Sequence, residues 1–308
     1  MTLEDMALAV AVAIIWGLSF VLTKFGLVEL SAAELAALRF AVAAVPCLFV
    51  PKPAISWPVL IAISFSLFVG QFLAQFYGIA HGVPPGLAAV IVQSQALFTV
   101  AFAALAFGEM PAKGQLIGMT IAAIGLGLIS MTVGHDFSVA VFIVILISPI
   151  SFAIGNLLLR KAHNARLFDL FAWLSLIAPV PLFFVAVVSE GPAAVVGHFR
   201  DMSWKGAAVA LLLGAVATTL AYGIWGSLLR RYRAAQVVPF VLLVPVVGAA
   251  SSAVVFGETF EPLRLGGMIT VIVGIGVMIV LGLRTRATLR PSDRSARSAS
   301  QEKLIGRS

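Results

Sequence analysis

Charged residues are scarce in this sequence. Asp, Glu, Lys and Arg make up 11% of its 308 residues, and hydrophobic residues make up 61%. A soluble domain carries about 25% charged residues, so the composition excludes a soluble globular protein and indicates burial in lipid. Because a membrane helix needs roughly 20 mostly apolar residues, we predict an all-α integral membrane protein with ten transmembrane helices and short loops. The predicted helices cover residues 6–24, 34–50, 58–79, 86–107, 115–132, 138–159, 168–189, 206–228, 236–256 and 265–283.

Groups that carry catalysis at membrane depth are also missing. The only cysteine, Cys47, lies inside the second predicted helix, which excludes an intrachain disulfide and favours a small apolar filler. An intramembrane enzyme would need paired Asp residues, Ser with His, or a His–Glu metal motif. The histidines all fall near predicted loops: His81, His135, His163 and His198. An enzyme is therefore the runner-up class, and we predict no catalytic residue, no metal and no cofactor.

Acidic residues are absent from the middle of the predicted helices. A proton relay built from Asp or Glu is therefore not visible, and the coupling ion is left open. Efflux of cationic drugs usually calls for a buried acid, so this absence disfavours that function.

Basic residues give a net charge of +7, but they are divided unevenly between the two sides of the predicted membrane. Fifteen of the 20 Lys and Arg residues lie in or beside the even-numbered loops or in the tail, and five lie toward the other side. This bias places both termini in the cytoplasm and argues against nucleic-acid binding. Residues 285–308 are basic and Ser-rich, which predicts a disordered cytoplasmic tail. The tail either contacts anionic lipid headgroups or serves only as a topology anchor.

The tripeptide Phe-Gly-Glu occurs twice, at residues 107–109 and 256–258, each time between two long apolar segments. The Gly-Met pair that follows the first copy, at Gly118, recurs at the same spacing after the second, at Gly267. We interpret residues 5–132 and 137–284 as two repeats of five helices each. Because five is odd, the second copy enters the membrane from the opposite side, so the repeats are inverted, as in many transporters. The two glutamates then lie on opposite sides, either as helix-start residues or with a role in transport.

Polar side chains inside the predicted helices are candidate substrate ligands, since a polar group at membrane depth is costly. The uncharged candidates are Ser19, Gln71, Gln75, Gln93, Gln95, Asn156, Tyr222 and Trp225. They donate and accept hydrogen bonds without a fixed charge, which suits a small polar or zwitterionic solute. Polar contacts between helices are the alternative for each of them.

Arg39 is the arginine that lies well inside a predicted helix, about five residues from its start. Its guanidinium either binds a substrate carboxylate or extends to the membrane surface. The two interpretations are equally supported by the sequence.

Two prolines, Pro239 and Pro245, lie in the ninth predicted helix, where the fourth helix of the other repeat has Val90 and Ala96. Proline removes a backbone hydrogen bond and bends a helix. We therefore predict that the ninth helix supplies motion, with both prolines in gating, and that the third and fourth helices supply recognition.

The sequence resembles the EamA-type branch of the drug/metabolite transporter superfamily over residues 5 to 284. In the first half, the resemblance is carried by Trp16-Gly17-Leu18-Ser19-Phe20 with Lys24, Leu38-Arg39-Phe40, Gln71-Phe72, Gly86-Leu87-Ala88, Gln93-Ser94-Gln95 and Phe107-Gly108-Glu109. In the second half, it is carried by Tyr222-Gly223-Ile224-Trp225-Gly226, Arg231-Tyr232 and Leu243-Val244-Pro245-Val246-Val247-Gly248.

This resemblance implies a transporter of the bacterial inner membrane that exports small amino-acid metabolites of the cysteine and O-acetylserine type. It implies a central cavity between two four-helix groups, with the fifth and tenth helices at the periphery. The expected partners are a zwitterionic, amino-acid-like substrate and membrane lipids, and assembly as a homo-oligomer is left open. Export of threonine, aromatic amino acids or small drugs is the alternative, and the sequence does not give the direction of net flux.

Overall fold

A computed structural model describes residues 1–134, 136–162 and 165–288 of the chain, and its regular secondary structure there is helical. We number ten helices in chain order. They are α1 (Leu3–Gly26), α2 (Ala32–Ala43), α3 (Trp57–Ala80), α4 (Pro85–Phe107), α5 (Lys113–Ser130), α6 (Val139–Ala162), α7 (Leu167–Glu190), α8 (Trp204–Arg231), α9 (Val238–Phe256) and α10 (Pro262–Thr288). A short helix, Pro192–Asp201, connects α7 to α8. Within the predicted tail, α10 continues to Thr288, and the remaining residues lie outside the described part of the chain.

Nine of these helices are long and apolar enough to cross a membrane, and α2 is the exception. It begins with a capping box between Ser31 and Glu34 and ends at Ala43 after 12 residues. It ends there because Pro46 cannot donate to the carbonyl four residues earlier. The chain continues in a 3₁₀ turn, Val45–Leu48, so the prediction of one regular helix over residues 34–50 was too long.

Two of the helices contain a π-helical segment at matching places. It covers Phe65–Gly70 in α3 and Leu212–Leu220 in α8, in each case eight residues after the tryptophan, Trp57 or Trp204, that begins the helix. Such segments shift the backbone hydrogen bonds by one residue and are frequent at functional sites. The composition of these segments is ordinary, and the sequence did not predict them.

Helices α5 and α10 cross in antiparallel orientation through glycines. A Cβ on Gly118 would lie 2.6 Å from the carbonyl oxygen of Gly274, and one on Gly267 would lie 3.0 Å from that of Gly125. In the repeat, Gly118 corresponds to Gly267 and Gly125 to Gly274. The contact of Gly118 with Gly274 therefore recurs between their counterparts, Gly267 and Gly125. Such a repeated contact requires a pseudo-two-fold axis between two antiparallel helices. This contact confirms the prediction of inverted repeats.

The two Phe-Gly-Glu segments lie at opposite ends of the molecule. End A contains Asp5 and Glu109, together with the start of α1 and the end of α10, and end B contains Lys24 and Glu258. At end A, Arg160 of α6 donates twice to Glu109, at 2.7 and 2.9 Å, and its guanidinium lies 4.3 Å from the Phe107 ring centroid.

The same arrangement recurs at end B with the repeats exchanged. Lys24 Nζ lies 3.8 Å from Glu258 and 4.8 Å from the centroid of the Phe256 ring. Each Phe-Gly-Glu segment thus holds the cation at the end of the first helix of the other repeat. The twin motif joins the two halves through these contacts.

We expect the pair at end A to stabilise the fold more than the pair at end B. A bidentate arginine–carboxylate pair is stronger than a single distant contact, although both cations are about two-fifths exposed and partly screened. In double-mutant cycles of thermal unfolding, Glu109→Gln with Arg160→Gln should give a coupling of about 1 kcal/mol. Glu258→Gln with Lys24→Gln should give less than half of that, and equal couplings would contradict this interpretation.

The two halves pack closely at end B and part towards end A. In α4, all nine residues of Pro85–Gln93 are buried, and this segment lies on α9, where Ala89 and Gly248 meet. Beyond a break at Ser94, only Ala103 is buried among the 13 residues of Gln95–Phe107. Helix α4 is therefore packed more deeply at end B than at end A, although the repeats themselves are related by symmetry.

Candidate substrate site

Arg39 of α2 is a buried cation without a carboxylate partner among the described residues. The side chain is 2% exposed, so it does not extend to the membrane surface. Its Nε donates to Thr218 Oγ1 at 2.9 Å, and its guanidinium lies 4.2 Å from the centroid of the Phe72 ring. Its Nη1 is buried and has no hydrogen-bond partner in the described part of the chain. A charge in this setting is costly unless an anion pairs with it.

Thr218 holds Arg39 because of the π-helical segment in α8. The Thr218 hydroxyl accepts from Arg39 and donates to the carbonyl of Leu213 at 2.9 Å, five residues earlier. Gly214 lets α8 approach α2, since a Cβ there would lie 2.5 Å from the carbonyl oxygen of Arg39. The backbone of α8 thereby fixes the direction of the guanidinium.

Aromatic side chains form a wall beside Thr218. Tyr222 lies one turn after Thr218 on the same face of α8, and its ring stacks on Phe171 with 4.6 Å between centroids. Trp16 of α1 lies 5.2 Å from Tyr222 and 5.3 Å from Trp225, measured between ring centroids. The indole N–H of Trp16 donates to the carbonyl of Ala217 at 3.0 Å, which satisfies its polar group.

Two cavities lead from end A to this wall. The outer one has a volume of about 440 Å³, lies between α1, α7 and α8, and has Asp5 and Arg231 in its lining. The inner one is a gap of about 10 Å³, room for one water molecule, with Thr218 and Tyr222 in its lining. Thr219 lines both. Arg39 is in the lining of neither cavity, but its hydrogen-bond partner Thr218 lines the inner one.

Gln71 and Gln75 of α3 hold the places that Thr218 and Tyr222 hold in α8. They follow Trp57 by 14 and 18 residues, as Thr218 and Tyr222 follow Trp204. Both glutamines are buried, at 5% and 3% exposure, and Gln71 Oε1 has no hydrogen-bond partner among the described residues. The inverted repeat therefore presents a polar pair from each half.

The other polar candidates already have protein partners. Gln93 Nε2 donates to the carbonyl of Val241 in α9 at 3.1 Å, and Gln95 Nε2 donates to Gln93 Oε1 at 3.3 Å. The remaining two bonds join Ser19 to the carbonyl of Trp16 at 2.6 Å and Asn156 to Thr99 at 3.3 Å. These four residues stay candidates with one such bond from each, and the buried Oε1 of Gln95 has no hydrogen-bond partner among the described residues.

The model of EamA-like transporters matches residues 5–131 and 139–280 of the chain. The chain belongs to the EamA-like transporter family. This membership confirms the predicted family. It also confirms the prediction that the chain is a multi-pass membrane transporter and not an enzyme.

Similar proteins align with nearly the full length of this EamA-like transporter. The "Probable amino-acid metabolite efflux pump" of Salmonella typhimurium strain LT2 is 37% identical over 299 residues, 95% of this chain and 100% of that protein. Its namesake in Escherichia coli strain K12 is 34% identical over 297 residues, 94% of this chain and 99% of that protein. A crystal structure with 15% identity covers 92% of this chain and 99% of its own, with a TM-score of 0.63, and supports the fold alone.

The structure brings together only part of the predicted site of this EamA-like transporter. Arg39, Tyr222 and Trp225 lie around one wall, whereas Gln93, Gln95 and Pro245 form a second group at the contact between α4 and α9. Trp16 and Phe171 belong to the wall but were not predicted as site residues. The available signal was the indole of Trp16, since a polar N–H at membrane depth needs a partner.

Proposed function

We propose that this EamA-like transporter exports small amino-acid metabolites of the cysteine and O-acetylserine type by alternating access. It does so across the bacterial inner membrane, with end A and both termini in the cytoplasm, as the distribution of basic residues favours. Residues 5–132 and 137–284 act as its two moving halves. The names of the two relatives, both probable amino-acid metabolite efflux pumps, support this substrate class.

The observation that carries the proposal is the buried Arg39 guanidinium. Its Nη1 is unpaired and its charge has no carboxylate partner among the described residues. Arginine binds a carboxylate through parallel N–H groups, and every α-amino acid supplies one. Arg39 is the carboxylate anchor in this proposal, and the unpaired Oε1 of Gln71 is a suitable acceptor for the substrate ammonium group.

The shape of the protein supports export from end A. The chain is closed where α4 and α9 meet at end B, and its larger cavity opens at end A. A transporter in this state takes up solute from the cytoplasm if end A is cytoplasmic. Because the repeats are inverted, exchange of the conformations of the two halves would close end A and open end B.

Aromatic amino acids are the second candidate substrates, because Trp16, Tyr222 and Phe171 offer rings against which an aromatic side chain can stack. Counterflow in proteoliposomes distinguishes the two. Vesicles loaded with unlabelled solute are diluted into a trace of the same labelled solute, with cysteine, O-acetylserine, threonine and phenylalanine tested in parallel. We expect accumulation of the first two. Accumulation of phenylalanine alone would favour the second candidate, and no accumulation of any of the four would overturn the proposal.

A further inference from the structure

The backbone of α9 carries a carbonyl that lacks its α-helical donor. Pro245 has no N–H, so the carbonyl of Val241, four residues earlier, loses its α-helical donor. The chain around it is a 3₁₀ turn, Val238–Leu242, and the Leu243 N–H donates to the carbonyls of Phe240 and Val241, the second of which lies only two residues earlier. In a membrane interior, a backbone group without a good partner is costly.

Gln93 of α4 supplies a side-chain donor from the other repeat in place of the α-helical one. Its Nε2 lies 3.1 Å from the carbonyl oxygen of Val241, and its side chain is 6% exposed. Gln95 Nε2 donates to Gln93 Oε1 at 3.3 Å, which turns the Gln93 amide so that its NH₂ group faces α9. The side chain of one repeat therefore replaces a backbone donor that proline removed from the other.

The position of this bond in the fold is special. The two Phe-Gly-Glu copies are 149 residues apart, since 258 minus 109 is 149, and the same offset relates Gln93 to Leu242. Gln93 therefore contacts the neighbour of its own counterpart, and a residue can meet its counterpart only near the pseudo-two-fold axis.

Both helices break at this axis. Helix α4 is interrupted at Ser94, and α9 changes from 3₁₀ to α-helix between Leu242 and Leu243. Leu243 is the counterpart of Ser94 in the second repeat. End B is packed on one side of the breaks and end A is open on the other. The breaks lie at the boundary between the closed and open parts, where an exchange of conformations must pivot.

We propose that Gln93 is a positioning residue of the transport cycle. Its amide holds the proline-broken segment of α9 at the pivot and does not bind the substrate. The inference rests on the alternating-access part of the proposed function.

The test compares the effect of one Gln93 substitution in three backgrounds, which differ in whether the Val241 carbonyl has an α-helical donor. Gln93→Met keeps the volume of the side chain and removes the donor, and it is made in the parent, in Pro245→Ala and in Pro239→Ala. Pro245→Ala restores the N–H that reaches Val241. Pro239→Ala is the matched control, because it restores an N–H elsewhere in the same helix.

In the parent and in Pro239→Ala, Gln93→Met should lower the maximal counterflow rate about tenfold, the effect of one lost buried hydrogen bond, with an unchanged KM. In Pro245→Ala, the same substitution should cost less than twofold. An equal loss in all three backgrounds, or a raised KM at an unchanged maximal rate, would overturn the proposal.

A second readout does not depend on the substrate. Thermal unfolding in detergent should show the same coupling, so Gln93→Met lowers Tm in the parent and in Pro239→Ala but much less in Pro245→Ala. If none of the four solutes is transported, this cycle still decides the role of Gln93. If Gln93→Met folds only in Pro245→Ala, the proposal is supported, and if it folds in no background, it is contradicted.

Discussion

Replacing Arg39 with leucine is expected to abolish counterflow while the protein stays folded. The guanidinium is buried, and the described residues offer its Nη1 no partner, so the proposal assigns a substrate carboxylate to it. Hydrogen bonds to charged groups are worth about 1.5–3 kcal/mol each. Loss of the anchor should therefore lower the counterflow rate at low substrate concentration by at least about 100-fold.

The stability of the same variant separates an anchor from a structural residue. An unpaired buried charge destabilises a fold, so Arg39→Leu should leave Tm unchanged or raise it. Arg39→Lys keeps the charge but lacks the planar pair of donors, and partial transport is expected. Thr218→Val removes the one protein hydrogen bond of Nε and serves as the control for orientation alone. A fall in Tm for Arg39→Leu with normal transport by the folded fraction would show that Arg39 only joins α2 to α8.

Most of the architecture could be predicted because lipid imposes simple rules on a chain. A long apolar segment must form a helix, so nine helices lie within a few residues of their predicted bounds. The odd number of helices in each repeat predicted, without any structural information, that the second repeat has the opposite orientation in the membrane. The prediction was wrong in length only for α2, where Pro46 ends a helix whose apolar composition continues.

The site was only partly predictable because polarity identifies a buried side chain but not its partner. Arg39 and Tyr222 stand out in apolar helices, and the structure places both beside Thr218. Aromatic residues such as Phe171 do not stand out, since the same residue type also faces lipid. The bond from Gln93 to Val241 depends on which helices meet across the repeats, and hydropathy contains no information about that contact.

Leucine at Gly125 is expected to disrupt the fold, whereas leucine at Gly127 is tolerated. A Cβ on Gly125 would lie 2.6 Å from the backbone nitrogen of Val271 in α10, and backbone cannot turn aside as a flexible side chain can. Small residues at such contacts allow membrane helices to approach closely. Gly127 is two residues further along α5, and a Cβ there meets nothing within 4 Å among the described residues.

The two substitutions have the same effect on helix propensity and hydrophobicity. The difference between their effects on stability therefore measures the contribution of the close contact between α5 and α10. Overpacking a buried contact costs about 1–3 kcal/mol, and here the whole of α5 must move away from α10. We expect Gly125→Leu to lower Tm in detergent by about 10 °C or more, or to leave little monodisperse protein, and Gly127→Leu to change it little.

The symmetry of the crossing supplies an independent pair in the other repeat. Gly274 is the counterpart of Gly125, and a Cβ there would lie 2.8 Å from the carbonyl oxygen of Gly118, whereas one on Gly266 has open space around it. Gly274→Leu should therefore match Gly125→Leu, and Gly266→Leu should match Gly127→Leu. Because α5 and α10 are the last helices of the two repeats, their crossing keeps the halves in antiparallel register. Equal stability of all four variants would show that the halves are held together mainly elsewhere, as at the contact between α4 and α9 and at the Phe-Gly-Glu contacts of ends A and B.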